Sequence, residues 1–290
     1  MTLDTVAAPP ETGLKQKALD AVSKLPPFSP VLNKLMATLA DEDVSFAELA
    51  GLIEKDTVLA GSVLRLVNSA FYARRGTVNS VKHAVSVLGI AKLRNLSMSM
   101  SLARMWNSSG LPAGWSSRAF NQHAVASAIL ADQLAIELDV EYAEGAFSAG
   151  LLQNVGMALI AIGVPDEYAR IVASYQAGAE PLCEYEARYI GVTHPQLSGE
   201  TLDRWHLPKP ICQGVSRHHG PHPDGEKSLS RILELADLMA EQQEIVAQPW
   251  LRKAEGDPVA VLAGVGLGDR ADSLLASFRE EYGTIKAFFG

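Results

Sequence analysis

Residues 145–165 carry no charged side chain, and this run constrains the fold more than any other feature of the sequence. A stretch of that length has two stable environments, a bilayer or the interior of a protein. The run contains Gln153, Asn154 and four glycines, Gly145, Gly150, Gly156 and Gly163. Amides and glycines suit tight packing against other helices better than contact with lipid. A buried core helix is therefore expected, with no membrane. The rest of the chain can supply such a core. Its 290 residues are 48% hydrophobic and 20% charged, a globular composition.

The charge balance removes another class of function. With Lys+Arg 25 against Asp+Glu 33 the net charge is −8, which disfavours broad binding to duplex nucleic acid. Two cysteines, Cys183 and Cys212, are too few for a disulfide framework and lack metal-type spacing. They read as reduced thiols, and a cytoplasmic location follows from them. Residues 1–13, with two prolines and no basic, apolar leader pattern, are expected to be a flexible tail.

Apolar residues recur at helical spacing almost throughout. Leu32, Leu35, Met36 and Leu39 form one stripe, and Leu59, Val63, Leu66 and Val67 another. Ser45 with Glu48 reads as a capping box; Asp56 and Ser80 read as N-caps, and Gly89 as a helix stop. Residues 107–117 (NSSGLPAGWSS) read as a boundary. Long helices are expected over 118–138, 142–162, 228–247 and 270–288, with shorter ones near 166–176, 182–190, 195–205 and 208–219. No period-two alternation suggests strands. The expected class is all-α, with an N-terminal helical subdomain over 14–110, a second over 111–250 and a helical extension over 251–290.

Seven histidines are spread unevenly: His194, His206, His218 and His219 fall close together and His222 follows. Asp237 lies on the apolar stripe of RILELADLMA, where a carboxylate requires a partner. His123 sits on the apolar face of FNQHAVASAILADQLA. Arg65, Arg74, Arg75, Lys82, Lys92 and Arg94, extended by Arg104, gather in the N-terminal block as a candidate binding patch. Trp106 and Trp115 flank the boundary and are expected to staple the two subdomains. Phe278, Tyr282, Phe288 and Phe289 are expected to pack the extension back.

The order His123, AFSAGLLQNVGMALI, His194, His218-His219, Asp237 resembles the HD superfamily of phosphohydrolases, whose invariant His-Asp pair falls where this chain has Gln153-Asn154. LRLVNSAFY, Ala84 with Leu88-Gly89, Glu186 and GVTHPQLSGETLDRWHLP resemble the HDOD domain, an HD-related domain of bacterial signalling proteins. The resemblance covers about residues 20–245. It implies an HD-like fold for the second subdomain, and regulation with a signalling protein or cyclic di-GMP as partner. It also implies that His123, Gln153, Asn154, His194, His218, His219 and Asp237 share one pocket.

The departures are chemical. Gln153 and Asn154 are neutral amides, poor ligands for a hard or borderline cation, and Asn154 cannot accept a proton from an attacking water. Met157 stands where the catalytic relatives usually place a lysine, and the Gly-Tyr-Pro signature of cyclic-dinucleotide phosphodiesterases is missing after His219. The expectation is a non-catalytic regulatory module with a degenerate pocket and no cofactor. The alternative is a residual metal-dependent phosphohydrolase acting on nucleotides, holding a weakly bound divalent metal through His123, His194, His218, His219 and Asp237. No receiver, cyclase-like or kinase segment is expected within the 290 residues, so any input would come from a partner or small molecule.

Overall fold

The structure, a computed structural model, describes residues 13–39, 45–69, 71–72, 77–108, 110–223 and 226–289. The expected N-terminal tail, apart from residue 13, lies outside them, as do Arg74 and Arg75. Among the described residues the chain is all-α, with no strand. The helices are α1 (Leu14–Asp20), α2 (Pro30–Ala37), α3 (Phe46–Glu54), α4 (Thr57–Val67), α5 (Val81–Leu88), α6 (Ile90–Ser108), α7 (Ser117–Leu138), α8 (Ala146–Leu152) and α9 (Val155–Gly163). They continue with α10 (Pro165–Ala177), α11 (Leu182–Ile190), α12 (His194–Arg204), α13 (Lys209–Ser216), α14 (Leu229–Gln242), α15 (Pro258–Gly264) and α16 (Ala271–Ile285).

Local chemistry sets many of these ends. Ser45 Oγ accepts from the Glu48 amide while the Glu48 carboxylate accepts from the Ser45 amide, closing the capping box. Asp56 caps α4 through the Leu59 amide at 2.9 Å, and Ser80 caps α5 through the His83 amide at 3.1 Å. Each such cap contributes about 1 kcal/mol. Gly89 then stops α5 with φ of 81°, a left-handed backbone that side-chain-bearing residues resist.

Helices α2 to α6 pack on one another, and α6 carries the contact onward to α7 and α8. One cluster of buried apolar residues runs from Ala21 to Phe289. A second joins α1 to α9, α10 and α11 through Leu14, Leu19, Ile160 and Ile171. Trp106 and Trp115 both lean on Phe120 of α7, with centroids 5.5 and 5.1 Å away. The extension folds back as expected: Phe278, Tyr282 and Phe289 are buried, and Phe288 lies under the Arg65 guanidinium at 4.9 Å.

The uncharged run is buried in the protein's own core. It is not one helix, contrary to the sequence expectation. A turn at Gln153 and Asn154 separates α8 from α9. Asn154 heads α9 with φ of −99° and ψ of 10°, outside helical values. Gly150 allows α8 to reach the α7 backbone, since a Cβ there would stand 2.9 Å from the Ser127 carbonyl oxygen. Gly156 does the same at α12, where a Cβ would collide with the His194 carbonyl. The Gly156 amide instead donates to Ser198 Oγ at 2.8 Å. The break and the two glycines deliver Gln153, Asn154 and His194 to a common point. Three further helices differ from expectation: α14 stops at Gln242, and α1 and α15 lie where the apolar spacing predicts none.

Candidate functional site

Five elements meet around a cavity of about 350 Å³ whose lining includes His123, Asn154, Met157, His194, His219 and Asp237. Helix α7 brings His123, the α8–α9 turn brings Gln153 and Asn154, the first turn of α12 brings His194, the end of α13 brings His218 and His219, and α14 brings Asp237. All seven residues expected to share a pocket therefore lie near it. His206 does not join them; it sits exposed beyond α12 with φ of 59°.

The pocket has two halves. In the first, Asp237 Oδ1 accepts from His123 Nε2 at 2.8 Å and from Gln153 Nε2 at 2.7 Å, with Asn154 Nδ2 at 3.5 Å. His123 Nδ1 donates to the Ile245 carbonyl at 2.7 Å. With both ring nitrogens facing oxygens, the imidazole is best satisfied when doubly protonated. Burial alone would depress its pKa, but the Asp237 carboxylate outweighs this and raises it. For Asp237, burial works against the charge, and His123 reverses the sign, so the carboxyl is held below its ordinary value. This half is a buried ion pair, and the Gln153 amide hydrogen-bonds its carboxylate. Glu241, one turn beyond Asp237, is pushed up to about 8, first by burial and then by Asp237.

The second half is arranged differently. His194 Nδ1 meets the Glu186 carboxylate at 2.8 and 3.0 Å, and the same carboxylate accepts the His194 amide at 2.8 Å. Burial lowers the His194 pKa, yet Glu186 and then Cys183 carry it well above the ordinary histidine value. Cys183 Sγ lies 3.9 Å from the same nitrogen. His218 Nδ1 donates to the Val215 carbonyl at 2.7 Å. Burial, then His219 and His194, hold His218 well below the ordinary value. The Nε2 atoms of His194 and His218 are both buried without a hydrogen-bond partner. His194 packs edge to face on His218 and His219, with centroids 5.5 and 5.2 Å apart, and His218 and His219 are tilted against each other at 4.2 Å. Each of the three offers a ligand atom within 4.8 Å of the others.

Glu186 and Glu241 contribute to the site beyond the seven residues expected to share it. Glu186 was legible only as part of a family-like segment; its hold on His194 spans eight residues and the turn into α12. Glu241 had a weak signal, its position four residues after Asp237 on one helix face. The members of the expected basic patch make separate contacts. Arg65 stacks on Phe288, Lys92 pairs with Glu281, Arg94 donates to the Thr38 carbonyl at 3.0 Å and Arg104 pairs with Asp56. Lys82 is exposed on α5.

Comparison with known proteins places this arrangement. The HDOD domain model matches residues 25–221. An uncharacterized protein of Treponema pallidum (strain Nichols) is 22% identical over 240 residues, 78% of this chain, and the chain spans 44% of that relative's length. An HDOD domain protein with unknown function from Geobacter sulfurreducens superposes with a TM-score of 0.75 at 20% identity, over 94% of this chain and 96% of its own. A Shewanella amazonensis protein, named provisionally as a phosphohydrolase, gives 0.74 at 22% over 94% and 98%. A Marinobacter aquaeolei protein, named provisionally for signal transduction, gives 0.69 at 23% over 92% and 61%. At these identities the solved structures establish the all-helical fold. With more than half its length matched by one family model, the chain belongs to the HDOD domain family.

Proposed function

We propose that this chain is a cytoplasmic bacterial signalling module that binds without hydrolysing, and that its cleft meets a protein partner or a cyclic dinucleotide such as cyclic di-GMP. The observation that carries the reading is the state of Asp237. Its Oδ1 already receives His123 Nε2 at 2.8 Å and Gln153 Nε2 at 2.7 Å. The one acid left from the family's ligand set is thus engaged through one oxygen, its Oδ2 lying 3.7 Å from His219 Nε2, and the residues at 153 and 154 add no second negative charge. Family-type hydrolysis relies on anionic ligands that hold metal and activate water, and this half of the pocket supplies neither.

A specific observation favours a second, narrower reading. Among the imidazoles, His194 and His218 each have Nδ1 tied to an oxygen, which leaves the Nε2 lone pair available once the ring is neutral. That outer hydrogen bond is the arrangement which orients histidine ligands in metal sites. With His219 they fit one divalent ion that prefers nitrogen ligands. Such an ion would supply Lewis acidity toward a phosphate oxygen. Glu186 would orient His194 and compensate charge. His123, already bonded at both nitrogens, would stay with Asp237.

The deciding experiment incubates the chain with nucleotides and cyclic dinucleotides, including cyclic di-GMP, in the presence of Mn, Mg, Fe or Ni. Products are followed by chromatography, and melting temperature is followed in parallel. No turnover is expected. Turnover lost on chelation and in the His218→Ala and Asp237→Ala variants would replace the binding reading with a phosphohydrolase. A melting temperature that rises with cyclic di-GMP by mass action selects the nucleotide as ligand. A flat response across the panel selects the protein partner, to be sought by affinity capture with and without cyclic di-GMP.

A further inference from the structure

A second, larger concavity lies away from the histidines, between the start of α7, the segment after α14 and the last turns of α16. Its volume is about 940 Å³. Most of its walls come from residues 242–245, 257–258 and 278–287, beyond the part of the chain matched by the family model. The groove is thus built largely from residues C-terminal to the matched family segment.

The charges lining it are unbalanced in a specific way. Three cations, Arg118, Arg279 and Lys286, face two acids, Asp257 and Glu244. Both acids are engaged. Asp257 caps α15 by accepting from the Val259 amide at 2.9 Å, and Glu244 pairs with Lys253 at 2.9 Å. None of the three cations is paired with a carboxylate among the described residues. Arg279 is held in place through Nε, which donates to Gln243 Oε1 at 3.3 Å and leaves the terminal guanidinium N–H groups unused. Lys286 Nζ sits 5.8 Å from the Tyr282 ring centroid, and Tyr282 stacks on Phe278 with the rings 9° from parallel. A rigid aromatic floor thus carries a lysine, beside an arginine pinned by an amide.

Unpaired like charges that share one concavity repel one another, and the repulsion is relieved when an anion enters. That three gather here without a carboxylate partner in a chain of net charge −8, where Lys92 and Arg104 of the N-terminal block are paired with carboxylates, singles out this groove. Guanidinium groups match phosphate oxygens bidentately, and an ammonium adds a point charge. We propose that the groove formed by Arg118, Arg279 and Lys286 is a binding site for a phosphorylated small molecule carrying at least two negative charges. The groove also touches the histidine pocket. Ile245 lines it, and the carbonyl of Ile245 accepts the His123 Nδ1 proton.

The test is calorimetric titration of the full chain with inorganic pyrophosphate and with ATP, using adenosine and hexaglutamate as comparisons. Binding of pyrophosphate and ATP is expected, with none for adenosine. Arg279→Glu and Lys286→Glu should each weaken it at least tenfold. Lys34→Glu, which changes net charge equally on the exposed face of α2, should weaken it less than twofold. All these side chains are exposed, and circular dichroism checks that the variants remain folded. Absence of binding to both phosphates overturns the proposal. So does equal weakening by Lys34→Glu, which would reduce the effect to net charge. Hexaglutamate binding as tightly as pyrophosphate would overturn it in favour of an acidic peptide. Each outcome is read independently of turnover and of the histidine variants.

Discussion

The two halves of the histidine pocket lie side by side, each with a buried histidine–carboxylate pair, and differ in what surrounds that pair. Around Asp237 the polar atoms are largely paired: His123 bridges the carboxylate and the Ile245 carbonyl, and Gln153 adds a third bond. Around His194 and His218, two imidazole nitrogens are buried with nothing to bond. Buried polar groups are usually satisfied; the first half leaves one amide oxygen, Gln153 Oε1, without a partner, and the second leaves two imidazole nitrogens. The difference teaches where the amides at 153 and 154 act. Gln153 hydrogen-bonds the carboxylate of one half's ion pair, and neither amide hydrogen-bonds the imidazole nitrogens left open in the other half.

The comparison breaks most readily at Asp237. Asp237→Ala leaves the His123 charge buried alone and is expected to cost about 3–5 kcal/mol in urea unfolding. A loss under about 1 kcal/mol would mean that the first half is not an ion pair. Next in size is the response of the open half to metal. Zinc at one hundred times its Kd is expected to stabilise the protein by about 2.7 kcal/mol, read as a higher melting temperature. The gain should vanish on chelation and in His218→Ala. A wild-type chain indifferent to zinc would make the histidine trio a packing feature.

Gln153→Ala removes one of the bonds to Asp237 while His123 stays, and should cost about 1–3 kcal/mol in the same unfolding assay. The smallest expected effect is in pH dependence. Because the folded pKa of His194 is raised, its contribution to stability is fully present below the unfolded value near 6.5 and is lost as pH rises through the folded value. Glu186→Gln removes the carboxylate that raises it, so the wild-type advantage over this variant should shrink as pH climbs above about 6.5. An advantage constant with pH would detach His194 from Glu186.

Much of the architecture was legible because it is local. The Ser45–Glu48 box, the Asp56 and Ser80 caps and the Gly89 stop involve residues three or four apart, and they appear in the structure at those positions. Helix α7, expected over 118–138, runs Ser117–Leu138. The break at Gln153-Asn154 was not legible, because two amides and scattered glycines inside an uncharged run free of internal proline are equally compatible with a continuous helix; packing of Gly150 on α7 and Gly156 on α12 accompanies it. Helix α1 was hidden for a similar reason. Its stripe of Leu14, Ala18 and Leu19 is short, and what stabilises it is distant, namely Ile160, Ala161 and Val164.

For the site, the sequence alone supplied the residue types and their order: four histidines, two amides and one acid, with the central His-Asp pair absent. It also supplied the run that had to be buried. Tertiary structure alone decided which imidazole met which carboxylate. His123 and Asp237 are 114 residues apart, and the bond between them rests on where α7 and α14 pack. The pairing of His194 with Glu186, the unpartnered Nε2 atoms and the separate contacts of Arg65, Lys92 and Arg104 arise in the same way. The physical reason is range. Caps and periodicity act over one or two turns of helix and are written in neighbouring letters. Charge pairing and desolvation depend on distances that exist only once the helices are packed.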